Sequence, residues 1–194
     1  MVEKKRVVKI KINGVAPLLM NCDRYSNPLD PLTKAHKKLH AKRNRTDEEE
    51  IALMKSSWLG SLYFNEQGAV AIPSKNIEAT LINGARRRKK GKLFECGSAV
   101  VQDWIPLKHD GPKDIEKLWE KEEFRDIRGV VIKQNRLQKC RPKFNNWSLE
   151  FDVAYHGNVL EEQDVVQALE DAGEFVGLCD YRPRFGRFEV EVVK

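Results

Sequence analysis

Residues 86–92 of this 194-residue chain read RRRKKGK, so Arg86, Arg87, Arg88, Lys89, Lys90 and Lys92 place six cations in seven positions. Like charges at that spacing repel one another unless water or an anion screens them, and a polyphosphate backbone is the natural anion. Binding of that kind weakens steeply as salt rises. A second stretch, AGEFVGLCDYRPRFGRFEVEV, brings Gly177, Tyr181, Arg182, Arg184, Phe185, Gly186 and Arg187 together near its centre. Glycines there permit positive φ and close approach of the backbone to a ligand; arginines pair with phosphate oxygens, and aromatic rings stack on bases. A third, RPKFNN at 141–146, sets Arg141 and Lys143 around Phe144. Each has a plain structural reading too: a solvated loop, a tight helix-to-strand connection with structural arginines, and, beside the third, Trp147 as the start of a core strand.

Catalytic chemistry finds less support. His36 and His40 stand four apart on a predicted helix, a spacing that can put two imidazoles on one metal or one imidazole beside a scissile phosphate. No H-E-x-x-H carboxylate accompanies them, and the neighbouring lysines repel a cation. His109 and His156 are isolated. No G-x-S-x-G, P-loop or dinucleotide fingerprint occurs. The expectation is therefore no catalytic residue, no metal and no cofactor. Cys22, Cys96, Cys140 and Cys179 are scattered singly, which suggests neither a zinc site nor a disulfide framework and fits a reducing cytoplasm. The opening MVEKKRVVKIKI lacks the apolar run of a secretory leader, and no stretch approaches a membrane span, so no membrane role is expected. Net charge is +6. Basic residues cluster at 34–45, 86–92, 125–143 and 182–187, acidic ones at 47–50, 114–123 and 161–174, so a fold could separate them onto two surfaces.

The elements that must position these residues follow from periodicity. Residues 6–12 alternate Val8, Ile10 and Ile12 with lysines, a half-buried strand that ends at Asn13-Gly14. Prolines at 17, 28 and 31 forbid a long element next. Residues 32–45 favour helix, and Thr46 with Asp47, Glu48 and Glu49 opens a second helix through Trp58 with a capping box. SLYFNEQGAVAIP reads as a β-hairpin turning at 65–68. Ser74 is expected to cap a third helix reaching Arg87, with Ile77, Leu81 and Ala85 on one face. Residues 93–107 supply one strand or two, and a short helix surrounds Trp119. Extended segments follow at 129–140 and 147–155, joined by a basic loop. A last helix covers 160–172 with Gly173 as its stop, and Phe188, Val190 and Val192 mark a final strand. The order βαββαβ makes residues 1–194 a single α+β, ferredoxin-like domain with a helical insertion at about 30–60 after the first strand.

A family resemblance rests on these same segments. In the RAMP superfamily of CRISPR-associated RNA-binding proteins, ferredoxin-like domains carry a glycine-rich loop between the last helix and the last strand, where residues 177–186 sit here. AIPSKNIEATLINGAR is similar to the small-residue turn and first helix that those proteins place after an opening strand. The chain also resembles an uncharacterised family of bacteriophage proteins sharing PLLM, a helical insert, IP-x-x-x-I-x-x-x-L, a W-S-L-E-F strand and G-x-x-D-x-R-P-x-F-G-R-F. The resemblance implies a RAMP-like and broadly RRM-like fold, although no RNP-type aromatic motif marks a central strand. It further implies a non-enzymatic, phage-encoded binder of single-stranded RNA or DNA in the host cytoplasm, with protomers assembling side by side as a homo-oligomer along the strand. Two alternatives stand beside it: a protein-binding decoy or inhibitor of a host defence complex, and a metal-independent endoribonuclease using His36 or His40.

Overall fold

Alternation of Val8, Ile10 and Ile12 with lysines produces β1 (Lys5–Gly14) in a computed structural model that describes residues 5–132 and 135–193. The chain continues through β2 (Leu18–Leu19), α1 (Pro31–Ala41), α2 (Asp47–Ser61), β3 (Ala71–Pro73), α3 (Ser74–Arg87) and α4 (Gly91–Gly97). Then follow β4 (Ser98–Val100), β5 (Trp104–Pro106), β6 (Lys108–His109), α5 (Ile115–Glu120), β7 (Arg125–Ile132), β8 (Asn135–Phe144), β9 (Trp147–His156), α6 (Glu162–Phe175) and β10 (Phe188–Val192). The protein is mixed α+β with antiparallel sheets. Two compact units share the chain: Leu19–Tyr63 with Gly111–Phe144 form unit 2, and the remaining segments form unit 1.

In unit 1 the main sheet has the order β10-β1-β9-β4, every pairing antiparallel, with β6 also on β9. Val8, Ile10 and Ile12 face Val153, Phe151 and Leu149 across the ladder, and all six are buried. Their inward face packs under α3 and α6, whose Ile77, Leu81, Val165, Leu169 and Ala172 are buried as well. Burying such side chains stabilises the fold by about 1.5–3 kcal/mol each. The helices touch closely, since a Cβ on Gly84 would lie 2.0 Å from the Ala168 carbonyl oxygen. The opposite face of the sheet is polar: Lys9 and Lys108 meet Glu150 at 3.6 and 3.0 Å, and Lys11 meets Glu191 at 3.1 Å.

Unit 2 contains the sheet β2-β8-β7, β2 being the point at which the chain enters it, together with α1, α2 and α5. The Thr46 capping box forms as the sequence predicts, with Glu49 answering the N-cap backbone. The core is aromatic: Trp58 donates from Nε1 to the Phe124 carbonyl oxygen at 2.8 Å, Trp119 meets it edge-on at 5.7 Å, and Phe124 lies 5.7 Å from Phe144. The sequence reading treats residues 1–194 as one domain with an insertion near 30–60. In the structure α1 and α2 occupy that insertion, and residues 111–144 join them because Trp119, Phe124 and Phe144 give Trp58 something to pack against.

Several elements differ from their sequence-based expectation, each for a local reason. Residues 61–73 turn at 65–68 as expected, closed by the antiparallel bridge Phe64 to Val70, but β3 pairs with β5 rather than across that turn. Ser74 caps nothing; its backbone N–H donates to the Asp103 carbonyl oxygen at 2.9 Å, and Pro73 is the N-cap. Residues 93–97, the start of the segment expected to supply strand, belong to the helix α4. The expected basic loop at 141–146 is the end of β8, and only Asn145-Asn146 turn. The extended segment expected at 129–140 spans parts of β7 and β8, and its positions 133–134 lie outside the described residues. Finally, α6 runs past Gly173, where a Cβ would lie 2.1 Å from the Phe188 carbonyl oxygen, to Phe175, and Gly177 with φ +79° follows its C-cap Val176. Gly173 therefore serves close packing, and Gly177 is the left-handed stop.

Candidate nucleic-acid interface

Helical spacing puts Asn76, Thr80, Asn83 and Arg87 on one face of α3. The loop after α6 lies along that face: Thr80 Oγ1 donates to the Gly177 carbonyl oxygen at 3.3 Å, and Asn76 Nδ2 approaches Cys179 Sγ at 3.8 Å. Leu178 N–H donates to Gly186 O at 2.8 Å and closes the loop at its neck. Gly177 and Gly186 permit this closure; both have positive φ, and Cβ atoms there would meet Phe185 O at 2.5 Å and Leu178 O at 2.0 Å. The positive φ expected of both glycines is present, and here it closes the loop on itself.

An open groove of about 630 Å³ runs between loop and helix, bordered by Asn83, Phe175, Tyr181, Arg182 and Pro183, with the carboxylate of Asp180 also on its wall. Phe175 is 44% exposed and Tyr181 51%. Arg87 lays its guanidinium over the Phe175 ring, 3.8 Å from the centroid, and Tyr181 is held edge-on by Phe185 at 5.8 Å. A guanidinium plane on an aromatic ring and an exposed phenol are both surfaces on which a flat heterocycle stacks. Burial pushes the Cys179 thiol up to about 12, which disfavours its thiolate.

The expected site residues separate into groups. Of the run at 86–92, Arg86 pairs with Glu95 at 2.7 Å, Arg88 grips Asp171 through two bonds of 2.6 and 3.1 Å, and Lys90 pairs with Asp164 at 2.5 Å. The Lys90 ammonium in turn holds the Asp164 carboxyl below the usual carboxylate range. Carboxylates of the protein therefore screen three cations of the run, which corrects the reading that screening calls for an external anion. Lys89 and Lys92 are exposed and, among the described residues, make no ion pair. Arg182, Arg184 and Arg187 are exposed on the loop, with Arg182 alone of the three bordering the groove. Two expected stacking residues are corrected: Phe185 is 7% exposed and supports Tyr181, and Phe144 is wholly buried in unit 2. Arg141, at 8% exposure, is a buried side chain of unit 2, and Lys143 beside it is half-buried. The structure accordingly brings together Arg87, Tyr181 and Arg182, and leaves the third stretch out of unit 1.

Phe175 went unmarked in the sequence, because the helix was expected to stop at Gly173 and the residue fell outside any pattern. Its signal is faint: an aromatic residue between Glu174 and Val176, two residues beyond the last buried position of the helix. The open sheet face carries the ion pairs of Lys9 and Lys108 with Glu150 and of Lys11 with Glu191. Among the described residues no cluster of three or more His, Cys, Asp or Glu side chains is placed to hold a metal ion, and no helix is long and apolar enough to cross a membrane. His36 and His40 lie in unit 2 with ring centroids 6.0 Å apart.

No protein-family model matches the chain, and no curated protein matches it in sequence.

Proposed function

We propose that unit 1 is a ferredoxin-like domain that binds single-stranded nucleic acid in the groove between the end of α3 and the loop after α6. The sheet order β10-β1-β9-β4, with α3 and α6 as crossovers, supports the fold reading, because it is the split βαβ arrangement. One observation carries the binding reading. Two exposed aromatic rings, Phe175 and Tyr181, border the same groove as Arg182, and Arg87 lies on one of them. Stacking accepts any base and the arginines accept any phosphate, so the expected recognition is tolerant of sequence and selective for unpaired strands. A duplex keeps its bases stacked on each other and offers the rings nothing. The closed loop holds Tyr181 in place before binding, which lowers the ordering cost.

Fluorescence anisotropy with labelled single-stranded RNA, single-stranded DNA and duplex tests the reading. Single strands are expected to bind at least about tenfold more tightly than duplex, and Tyr181→Ala and Phe175→Ala are each expected to weaken binding by about 5- to 100-fold, the worth of one stacked base. Equal affinity for duplex, or aromatic variants that bind as the parent does, would sink it.

A further inference from the structure

On the side of α3 that faces the loop after α6, Thr80 and Asn76 spend their donors on the loop, Thr80 on the Gly177 carbonyl oxygen and Asn76 on Cys179 Sγ. Asn83 lies one turn further on, half-buried and on the border of the groove. Among the described residues its side chain makes a single hydrogen bond, accepting at Oδ1 from Arg86 Nη1 at 2.9 Å. The two N–H groups of Asn83 Nδ2 are not spent on the protein.

Arg86 decides which end of the Asn83 amide is left over. A guanidinium has only donors, so the amide oxygen faces it and the NH2 group faces away. Arg86 is itself held: Nη2 pairs with Glu95 at 2.7 Å, and its stem occupies the space that a Cβ on Gly91 would need, 2.4 Å from Cγ. Flipping the amide sets its NH2 group against the guanidinium, donor against donor, and forfeits the bond. Asn83 therefore offers the groove a fixed hydrogen-bond donor. It also stands next to the stacking surface. Arg87, whose guanidinium covers the Phe175 ring, follows Asn83 by four residues, so their Cβ atoms are about 5–6 Å apart on one helix face.

Bases differ in what they show to such a donor. Thymine, uracil and guanine carry a carbonyl oxygen, O4 or O6, where cytosine and adenine carry an amino group. A carbonyl accepts from the Asn83 NH2 group, whereas an amino group meets it donor against donor. The Asp180 carboxylate, also on the groove wall, is an acceptor and suits the imino N–H beside the carbonyl of a keto base. We propose that Asn83 biases the groove toward keto bases by donating from Nδ2 to the carbonyl of a base stacked beside it, with Arg86 as the positioning residue that fixes the amide. This inference rests on the reading of the groove as a single-strand site. Stacking itself is indifferent to that edge of the base, so the bias is added to a site that otherwise accepts any sequence.

Fluorescence anisotropy on the full chain tests the proposal with three single strands of about ten nucleotides: thymidine, deoxycytidine, and the difluorotoluene analogue that copies the shape of thymine without its acceptors. The thymidine strand is expected to bind about 2- to 10-fold more tightly than either of the others, the worth of one hydrogen bond between neutral groups. Asn83→Leu is expected to bring that ratio to about one. Arg86→Lys, still a donor without an acceptor, is expected to keep the ratio, and Arg86→Leu, which frees the amide to turn, to reduce it. Loss of a cation alone weakens all three strands equally and leaves the ratio in place. Should Asn83→Leu unfold, Asn83→Asp keeps an oxygen for Arg86, removes the NH2 group and is expected to abolish the ratio in the same way. Equal binding of the thymidine and deoxycytidine strands by the parent, or a ratio that survives loss of the Asn83 NH2 group, would overturn the proposal. If Tyr181→Ala then weakens all three strands, the groove reading stands and this inference alone falls. If Tyr181→Ala and Phe175→Ala leave all three unaffected, both fall.

Discussion

Arg87 and Arg88 are adjacent, chemically identical and both exposed, yet their side chains do different things. Arg87 lies on the Phe175 ring beside the groove, while Arg88 is bound through two hydrogen bonds to Asp171, a largely buried carboxylate on α6. Removing Arg88 strands that carboxylate; removing Arg87 strands nothing. Arg87→Ala is therefore expected to weaken single-strand binding about tenfold with an unchanged melting temperature. Arg88→Ala is expected to lower the melting temperature and leave binding nearly intact. Anisotropy and thermal unfolding on the two variants check this, and an equal loss of affinity in both would erase the distinction. The sequence could not separate the two residues, since their carboxylate and aromatic partners lie on α6, far along the chain. Arg88 and Asp171 are 83 positions apart.

At the scale of the element, the end of α3 and the neck of the loop after α6 are backbone devices. The end of α3 is a Schellman motif in which Lys90 N–H donates to Ala85 O and Lys89 N–H to Arg86 O, each at 3.0 Å. Its left-handed position is held by Lys89, with φ 61°, where glycine is the usual residue. Lys89→Gly is accordingly expected to stabilise the protein by about 0.5–1 kcal/mol, because the steric cost of a left-handed side chain exceeds the added chain entropy of glycine. Gly186→Ala is expected to do the reverse, losing about 2–4 kcal/mol, since its Cβ would meet a backbone oxygen that the closed loop cannot move. Denaturant titration of both variants measures the difference, and a neutral Gly186→Ala would show that the loop neck is softer than its hydrogen bonds imply. Gly177 and Gly186 were legible in the sequence as backbone-specialised positions. What they specialise in was not, because a glycine that closes a loop and one that admits a ligand have the same side chain, namely none.

At the scale of the whole molecule, the count of 35 lysines and arginines overstates the cations open to a nucleic acid. Lys9, Lys11 and Lys108 of the open sheet face and half of the run at 86–92 are already paired with carboxylates. The phosphate contacts left to the groove and its loop are few, so the plot of log affinity against log salt is expected to have a slope between about −1 and −4. Anisotropy at several salt concentrations measures it. A slope near −10 would mean that the whole basic surface binds, and the groove would lose its special standing.

Local pattern alone determined the strands at Lys5–Gly14, Trp147–His156 and Phe188–Val192, the inward face of α3 and the capping box at Thr46, because alternation, helical period and capping depend on neighbours within a few residues. Tertiary structure decided which cations are neutralised, which aromatic rings stay outside, and that residues 111–144 return to complete unit 2. Those outcomes rest on contacts between distant segments: Trp58 with Phe124 across 66 positions, Lys90 with Asp164 across 74. Burial of Phe144 and Phe185 and exposure of Phe175 follow from packing geometry, to which a ring's chemistry and its immediate neighbours in sequence give no guide.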